Sequence, residues 1–170
     1  PLDLAVKGRG FFQIQLPTGN TAYTRDGSFQ LNSQGQVVTS SGYQLQPAIT
    51  VPIGSTGVTV GQDGTVSVQT PGSTTPTQVG SIQLAQFMNP AGLQPMGQNL
   101  YQTSGASGSP QTSTPGSNGL GSLSQGSIET SNVNVVEELV NMIEAQRAYE
   151  MNSKAINTVD QMLRTASNNL

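Results

Sequence analysis

Residues 131–170 read SNVNVVEELVNMIEAQRAYEMNSKAINTVDQMLRTASNNL, and this stretch decides the fold class. Met142, Ala145, Tyr149, Ile156, Val159, Leu163, Ala166 and Leu170 recur at alternating spacings of three and four, interrupted by Asn152. That is a heptad-like seam, and it predicts one long helix. A second stripe, Val136, Val140, Ile143, Met151, Ala155 and Met162, runs a third of a turn or more away. One seam suits a simple pair, whereas two suit a helix with neighbours on several sides. A helix of roughly 50 Å cannot stand on propensity alone and has to bury its apolar faces.

The ends of the helix are marked by charge and capping. Asn134 followed by Glu137 resembles a capping box. Glu137 and Glu138 lie in the first turn and Arg164 near the far end, as the macrodipole favours. Glu150–Lys154 and Asp160–Arg164 are expected i,i+4 pairs worth a few tenths of a kcal/mol each. An apolar stripe ordinarily lies across the chain's own sheet. This helix is too long for the small β-module before it, which favours contacts with other copies or with a segment beyond this chain. The expected assembly residues are Val136, Leu139, Val140, Met142, Ile143, Tyr149, Asn152, Ile156, Val159 and Leu163. Asn152, as a polar group on the seam, would fix register at a cost in stability.

Upstream of the helix the pattern changes period. Phe12, Ile14 and Leu16 alternate before Pro17-Thr18-Gly19-Asn20, and Tyr23 to Arg25 run into Asp26-Gly27, read as a turn using positive φ at the glycine. Phe29/Leu31, Val37-Val38, Tyr43/Leu45 and Ile49/Val51/Ile53 give further short strands. Val58-Thr59-Val60 and Val66-Ser67-Val68 flank Gly61-Gln62-Asp63-Gly64, the clearest hairpin. A run from Ser81 to Phe87 ends at Asn89-Pro90. About eight strands at regular spacing predict a small barrel- or sandwich-like module of short antiparallel strands. Residues 102–126 are nearly all Gly, Ser, Thr, Gln and Pro, which is expected to make a linker or extended arm. The organisation read from sequence is thus a β-rich module over 1–101, a linker or arm over 102–130, and an assembly helix over 131–170. The fold class is mainly β plus a long C-terminal helix for coiled-coil-type assembly.

Composition removes most chemistry. The 170 residues include no Cys and no His, which excludes Ser-His-Asp and Cys-His sites and any nitrogen- or sulfur-rich metal site. No cofactor is expected. Six basic and nine acidic side chains give a net charge of −3, and Asp63 is the only charge between Gly27 and Ile128. Nucleic acid is therefore not an expected partner, since phosphates need clustered Lys and Arg. No apolar run is long enough to insert in a membrane, and the start lacks a secretory signal pattern. A chain beginning with Pro1 rather than Met is expected to be a fragment or processed form. Lys7-Gly8-Arg9-Gly10-Phe11-Phe12 holds two glycines of a phosphate-binding pattern, but Gln13 takes the third place and a strand follows. Asp26 and Asp63 read as turn residues, and the chain as a non-enzyme.

Two blocks resemble a known family. Ser131-Asn132-Val133-Asn134-Val135-Val136-Glu137-Glu138-Leu139-Val140, continuing through Met142-Ile143-Glu144-Ala145-Gln146-Arg147-Ala148-Tyr149-Glu150, is similar to the C-terminal signature of bacterial flagellar rod and hook proteins. Gly8-Arg9-Gly10-Phe11-Phe12, Tyr23-Thr24-Arg25-Asp26-Gly27-Ser28-Phe29 and Gly42-Tyr43-Gln44-Leu45-Gln46-Pro47 resemble the family's core β-domain. Asn89-Pro90-Ala91-Gly92-Leu93 and Asn99-Leu100-Tyr101 are most similar to the distal-rod branch of that family. The resemblance implies a structural subunit in a helical homopolymer, contacting other rod and hook subunits and the rings around the rod. It also implies export by the flagellar type III apparatus, a place in the periplasm-spanning rod of the basal body, and a second helix outside this chain. Hook or proximal-rod subunits are the same-class alternative; an extracellular binding module is the alternative of another class, and an enzyme acting on peptidoglycan is the weakest.

Overall fold

The computed structural model describes residues 2–130, 132 and 134–168; Ser131, Val133 and Leu170 of the sequence reading lie outside the described residues. The chain divides into two compact units, Pro1–Glu129 and Thr130–Leu170.

Among the described residues the first unit holds fourteen strands. β1 (Leu2–Lys7), β2 (Phe11–Gln15), β3 (Thr21–Thr24), β4 (Ser28–Leu31), β5 (Val37–Thr39) and β6 (Gln44–Gln46) come first. β7 (Gly57–Val60), β8 (Thr65–Gln69) and β9 (Thr77–Ser81) form a three-stranded antiparallel sheet. β10 (Leu84–Gln86), a 3-10 turn (Pro90–Gly92), β11 (Gln94–Gly97), β12 (Leu100–Gln102), β13 (Gln111–Ser113) and β14 (Ser122–Gln125) follow. All but β7, β8 and β9 join one curled antiparallel sheet with the path β11-β12-β3-β2-β6-β5-β4-β1-β14. β2 is its organising strand. One edge pairs with β3, while the other is shared between β10 at Phe11 and Phe12 and β6 at Gln13 to Gln15.

The period-two pattern is what puts the core where it is. Leu4, Phe12, Ile14, Phe29, Leu45 and Leu84 are buried, and Phe12 meets Phe29 edge-to-face at 5.0 Å. A smaller cluster of Tyr23, Ala85, Phe87 and Leu93 sits apart, flanked by Phe11 and Tyr101. The Val58–Val60 and Val66–Val68 hairpin is formed, with Val60 opposite Val66. Asp63 Oδ1 accepts the Thr65 N–H at 3.1 Å, and Gly64 takes φ 84° to close the turn.

Several expectations change. Ile49, Val51 and Ile53 do not form a strand; a single bridge joins Gln36 to Thr50. Ile49 and Val51 are buried, but Pro52 brings no N–H and Ile53 turns out to solvent. The run from Ser81 to Phe87 splits between the end of β9 and β10. The predicted ion pairs Glu150–Lys154 and Asp160–Arg164 are not closed; among the described residues the ion pair formed is Arg25–Glu129.

The largest correction concerns 102–130. This segment is not a flexible linker but is ordered along the β-unit: β13 pairs with β10 and β14 pairs with β1. Two leucines explain it. Leu120 and Leu123 enter the main core, and Ser107 is fully buried with its hydroxyl donating to the Ser104 carbonyl at 2.9 Å. Gly121 N–H donates to the Arg9 carbonyl at 2.7 Å and Gly126 N–H to the Asp3 carbonyl at 2.8 Å. Gln125 then ties the two sheets: its Oε1 accepts the Val60 N–H at 2.8 Å and its amide donates to the Val58 carbonyl at 3.0 Å. Few apolar side chains suffice when the backbone donors are paired this way.

Gly27 also differs from expectation. It does not use positive φ; a Cβ there would lie 1.7 Å from the Leu4 carbonyl oxygen. Leu4 N–H donates to the Gly27 carbonyl at 3.0 Å, so β1 and the turn are in backbone contact. Gly27→Ala is expected to cost the first unit at least about 3 kcal/mol, from overpacking and a lost hydrogen bond. Gly57→Ala, where a Cβ meets nothing within 4 Å, is expected to be near neutral. Urea midpoints of the two variants check this, and equal midpoints would refute it.

Candidate assembly surfaces

Among the described residues of the second unit, one uninterrupted helix runs over Val135–Asn168, α1. It starts four residues later than the predicted 131, because Asn134 is the cap: its carbonyl accepts the Glu138 N–H at 3.0 Å, and its Oδ1 accepts the Val136 N–H at 3.2 Å. The capping oxygen therefore serves Val136 rather than Glu137, which lies with Glu138 in the first turn. Thr158 and Thr165 hydroxyls donate to carbonyls four residues back, Lys154 and Gln161, and so need no outside partner.

Along α1 the apolar side chains stay exposed. Val136, Leu139, Val140, Met142, Ile143, Tyr149, Ile156, Val159 and Leu163 range from 49 % to 82 % accessible, and Asn152 is exposed among them. Scattered exposed leucines need no explanation, but this many exposed apolar side chains on one helix exceed what a monomer's surface ordinarily carries.

In the first unit the conspicuous polar arrangement centres on Arg25. Its Nη1 donates to the carbonyls of Gly8 at 2.8 Å and Gly10 at 2.6 Å, and its Nη2 to the Val6 carbonyl at 3.2 Å. Nε donates to Glu129 Oε2 at 2.8 Å, and the guanidinium lies 5.9 Å from the Phe11 ring centroid. Gly8 and Gly10 hold φ of 123° and 132°, which L side chains rarely adopt, and this lets both carbonyls converge on one guanidinium. Phe11 in turn meets Phe87 and Tyr101 edge-to-face at 5.7 and 6.1 Å. The neighbouring Asp26 accepts the Ser28 N–H at 3.0 Å. Burial pulls its pKa up, but hydrogen bonds from Ser28 and Asn99 outweigh this and hold it below the usual carboxylate range. No cluster of three or more metal-ligating side chains occurs among the described residues.

Comparison with known proteins gives these features a common origin. Residues 5–68 match the family model described as the flagellar hook protein FlgE/F/G D1 domain, and residues 124–170 match the flagellar basal body rod FlgEFG protein C-terminal model. The chain belongs to the flagellar rod and hook family. Its flagellar basal-body rod relative FlgG from Buchnera aphidicola subsp. Schizaphis graminum is 58 % identical over 165 residues, covering 97 % of this chain and 64 % of the relative. FlgG of Caulobacter vibrioides is 50 % identical over 167 residues, covering 98 % and 64 %. The flagellar hook protein FlgE of Salmonella typhimurium is 37 % identical over 158 residues, covering 88 % and 37 %. The chain thus spans 64 % of the length of these two rod relatives.

The rod and hook motif residues singled out in sequence fall into two groups. Gly10, Phe11 and Arg25 meet at the guanidinium clasp, with Phe12 in the core, Asp26 bonded instead to Ser28 and Asn99, and Gly27 at the contact with β1. Gln146 and Arg147 lie exposed on α1. Glu129, Gly8 and Val6 were missed as parts of the clasp; Asn99 lies outside it, its carbonyl accepting the Thr24 hydroxyl at 2.7 Å. The pairing of Arg25 with Glu129 spans 104 residues, and only the GRG spacing, with its two glycines around Arg9, hinted at a special backbone there.

Proposed function

We propose that this chain is the larger part of a structural subunit of the flagellar distal rod, which polymerises helically with copies of itself into the torque-transmitting shaft. The observation that carries the reading is α1, 34 residues with its apolar side chains exposed, in a chain whose family includes rod subunits. In this reading the helix faces build the inner tube and the β-unit an outer layer. Four carboxylates and three cations are all the charge that residues 1–129 carry, so lateral contacts between β-units rest on buried area rather than ion-pair networks. Membership of a structural family and the absence of His and Cys support a role without catalysis. The subunit sits in the basal body, exported by the flagellar type III route, with other rod and hook subunits and the surrounding rings as neighbours. The higher identity and coverage against rod than hook relatives favour the rod, and the comparisons lend no support to an extracellular binding module.

Electron microscopy of basal bodies tests this. Cells lacking the full-length protein are expected to stop rod growth short of the hook, and supplying it is expected to restore full rods. Complete rods and normal swimming without it would sink the reading.

A further inference from the structure

Asn118 is the one asparagine in the sequence that a glycine follows. An asparagine side chain is an amide that its own main chain can attack. The nucleophile is the nitrogen of the next residue, and only glycine leaves that nitrogen without a neighbouring Cβ. Asn118 and Gly119 are exposed between β13 and β14, and a Cβ on Gly119 would meet nothing within 4 Å. Among the described residues the Gly119 N–H donates to no other backbone group. The two Asp-Gly turns lack this combination. Gly64 N–H is committed to the Gly61 carbonyl at 3.0 Å, and Gly27 is wedged against Leu4. Asp26 and Asp63 also present a charged carboxylate where Asn118 presents a neutral amide.

The turn itself holds the reacting atoms apart. Asn118 and Gly119 have φ of 53° and 78°, and Leu120 N–H donates to the Ser117 carbonyl at 3.0 Å. Positive φ at both central residues makes a type I′ turn, whose first central ψ is about +30°. That ψ turns the Gly119 nitrogen away from the Asn118 side chain, so ring closure needs a large rotation about the intervening Cα–C bond. Two anchors resist the rotation. Asn118 Nδ2 donates to Ser113 Oγ at 2.9 Å, on β13, and Leu120 is buried in the main core.

We infer that Asn118 is a self-modification site guarded by folding: the closed turn keeps the amide intact, and a chain whose turn is open converts it to aspartate and isoaspartate. The Gly119 nitrogen loses its proton to solvent and bonds to Asn118 Cγ. The Cγ–Nδ2 bond breaks, and Nδ2 takes up protons from solvent and leaves as ammonia. Water then opens the five-membered imide at one of its two carbonyls. Opening at one gives aspartate; opening at the other routes the main chain through Cβ and Cγ as isoaspartate. The net change is ammonia lost and water gained, with no oxidant or reductant.

Neither product restores the guard. A carboxylate has no N–H for Ser113 Oγ, and isoaspartate adds a main-chain carbon inside a two-residue turn. Leu120 and Gly121 follow directly, and Gly121 N–H donates to the Arg9 carbonyl at 2.7 Å. A new negative charge also appears in a stretch where Asp63 is the only charge between Gly27 and Ile128. The reaction thus marks, irreversibly, chains that remain unfolded.

Mass spectrometry of peptic peptides from the full-length protein, incubated at neutral pH with and without urea, tests this. In urea the peptide spanning the turn is expected to gain about 1 Da and to split into two products. The other asparagines are expected to lag by at least about tenfold, and Gly119→Ala to slow Asn118 to their level. Without urea Asn118 is expected to react at least about tenfold more slowly than in urea. Ser113→Ala, which keeps the fold but releases the amide, is expected to raise that folded-state rate at least about threefold, and Leu120→Ala further. No change at Asn118 in urea would overturn the site. Equal rates with and without urea, or a folded-state rate that neither variant alters, would overturn the guard.

Discussion

Cells carrying Ile156→Asp together with Leu163→Asp are expected to be non-motile and to build no rod from this subunit, while the β-unit melts at its normal temperature. In the isolated chain both side chains are exposed, at 64 % and 62 %, so aspartate there costs α1 only the propensity difference of about 0.5 kcal/mol each. The first unit lies before Thr130 and loses nothing. In the proposed polymer both positions are buried, on the apolar side of the last two thirds of α1. Each substitution then forfeits roughly 2 kcal/mol of burial and adds a few kcal/mol for desolvating an unpaired carboxylate. Together that is about 6–10 kcal/mol per contact, more than four orders of magnitude in association. Asn157→Asp, on the polar side of the same stretch, is the matched control and is expected to leave assembly intact. Swimming plates, sedimentation of the assembled material and a thermal melt of the soluble chain read the three outcomes. Normal swimming by the Ile156/Leu163 variant would refute the assignment of this surface to assembly.

The helix was legible because its evidence is local. Spacing of apolar residues at three and four needs no knowledge of what lies elsewhere in the chain, and Asn134 marks its start within the described residues. The hairpin at Asp63-Gly64 is local in the same sense. What sequence reasoning lost depends on long-range pairing. Residues 102–126 look too polar to fold, and by composition they are; they order because β1 and β10 have open edges that β14 and β13 complete. Leu120 and Leu123 are few, but both find the core. Gly27 shows the same limit. Its neighbour Asp26 suggests a turn glycine with positive φ, whereas the requirement comes from the Leu4 carbonyl, twenty-three residues away in sequence and in contact in space. The motif residues of the clasp were visible as a pattern, yet their common purpose appears only when Arg25 is seen to hold them.

That purpose sets the second large effect. Arg25→Ala is expected to destabilise the first unit by about 3 kcal/mol, lowering its melting temperature by on the order of 10 °C. The loss is not chiefly that of an ion pair. Glu129 and Arg25 are both part-exposed, with side chains 41 % and 26 % accessible, so their pairing is worth at most about 1 kcal/mol. Glu129→Gln is therefore expected to be mild. The larger share comes from the carbonyls of Val6, Gly8 and Gly10, which converge from β1 and the following turn. Without the guanidinium they lose a charged donor, and Phe11 loses the cation beside its ring. Lysine does not replace it. An ammonium is a point charge with three donors, whereas the planar fork reaches the carbonyls and Glu129 at once. Arg25→Lys is expected to recover less than half of the lost stability. Thermal melts of the three variants separate the explanations: full rescue by lysine, or a Glu129→Gln loss equal to that of Arg25→Ala, would reduce the clasp to a simple ion pair. The two shares also answer differently to salt: the carbonyl contacts, which hold β1 and the turn after it, persist, whereas the part-exposed pairing that ties Glu129, the last residue of the β-unit, to Arg25 weakens.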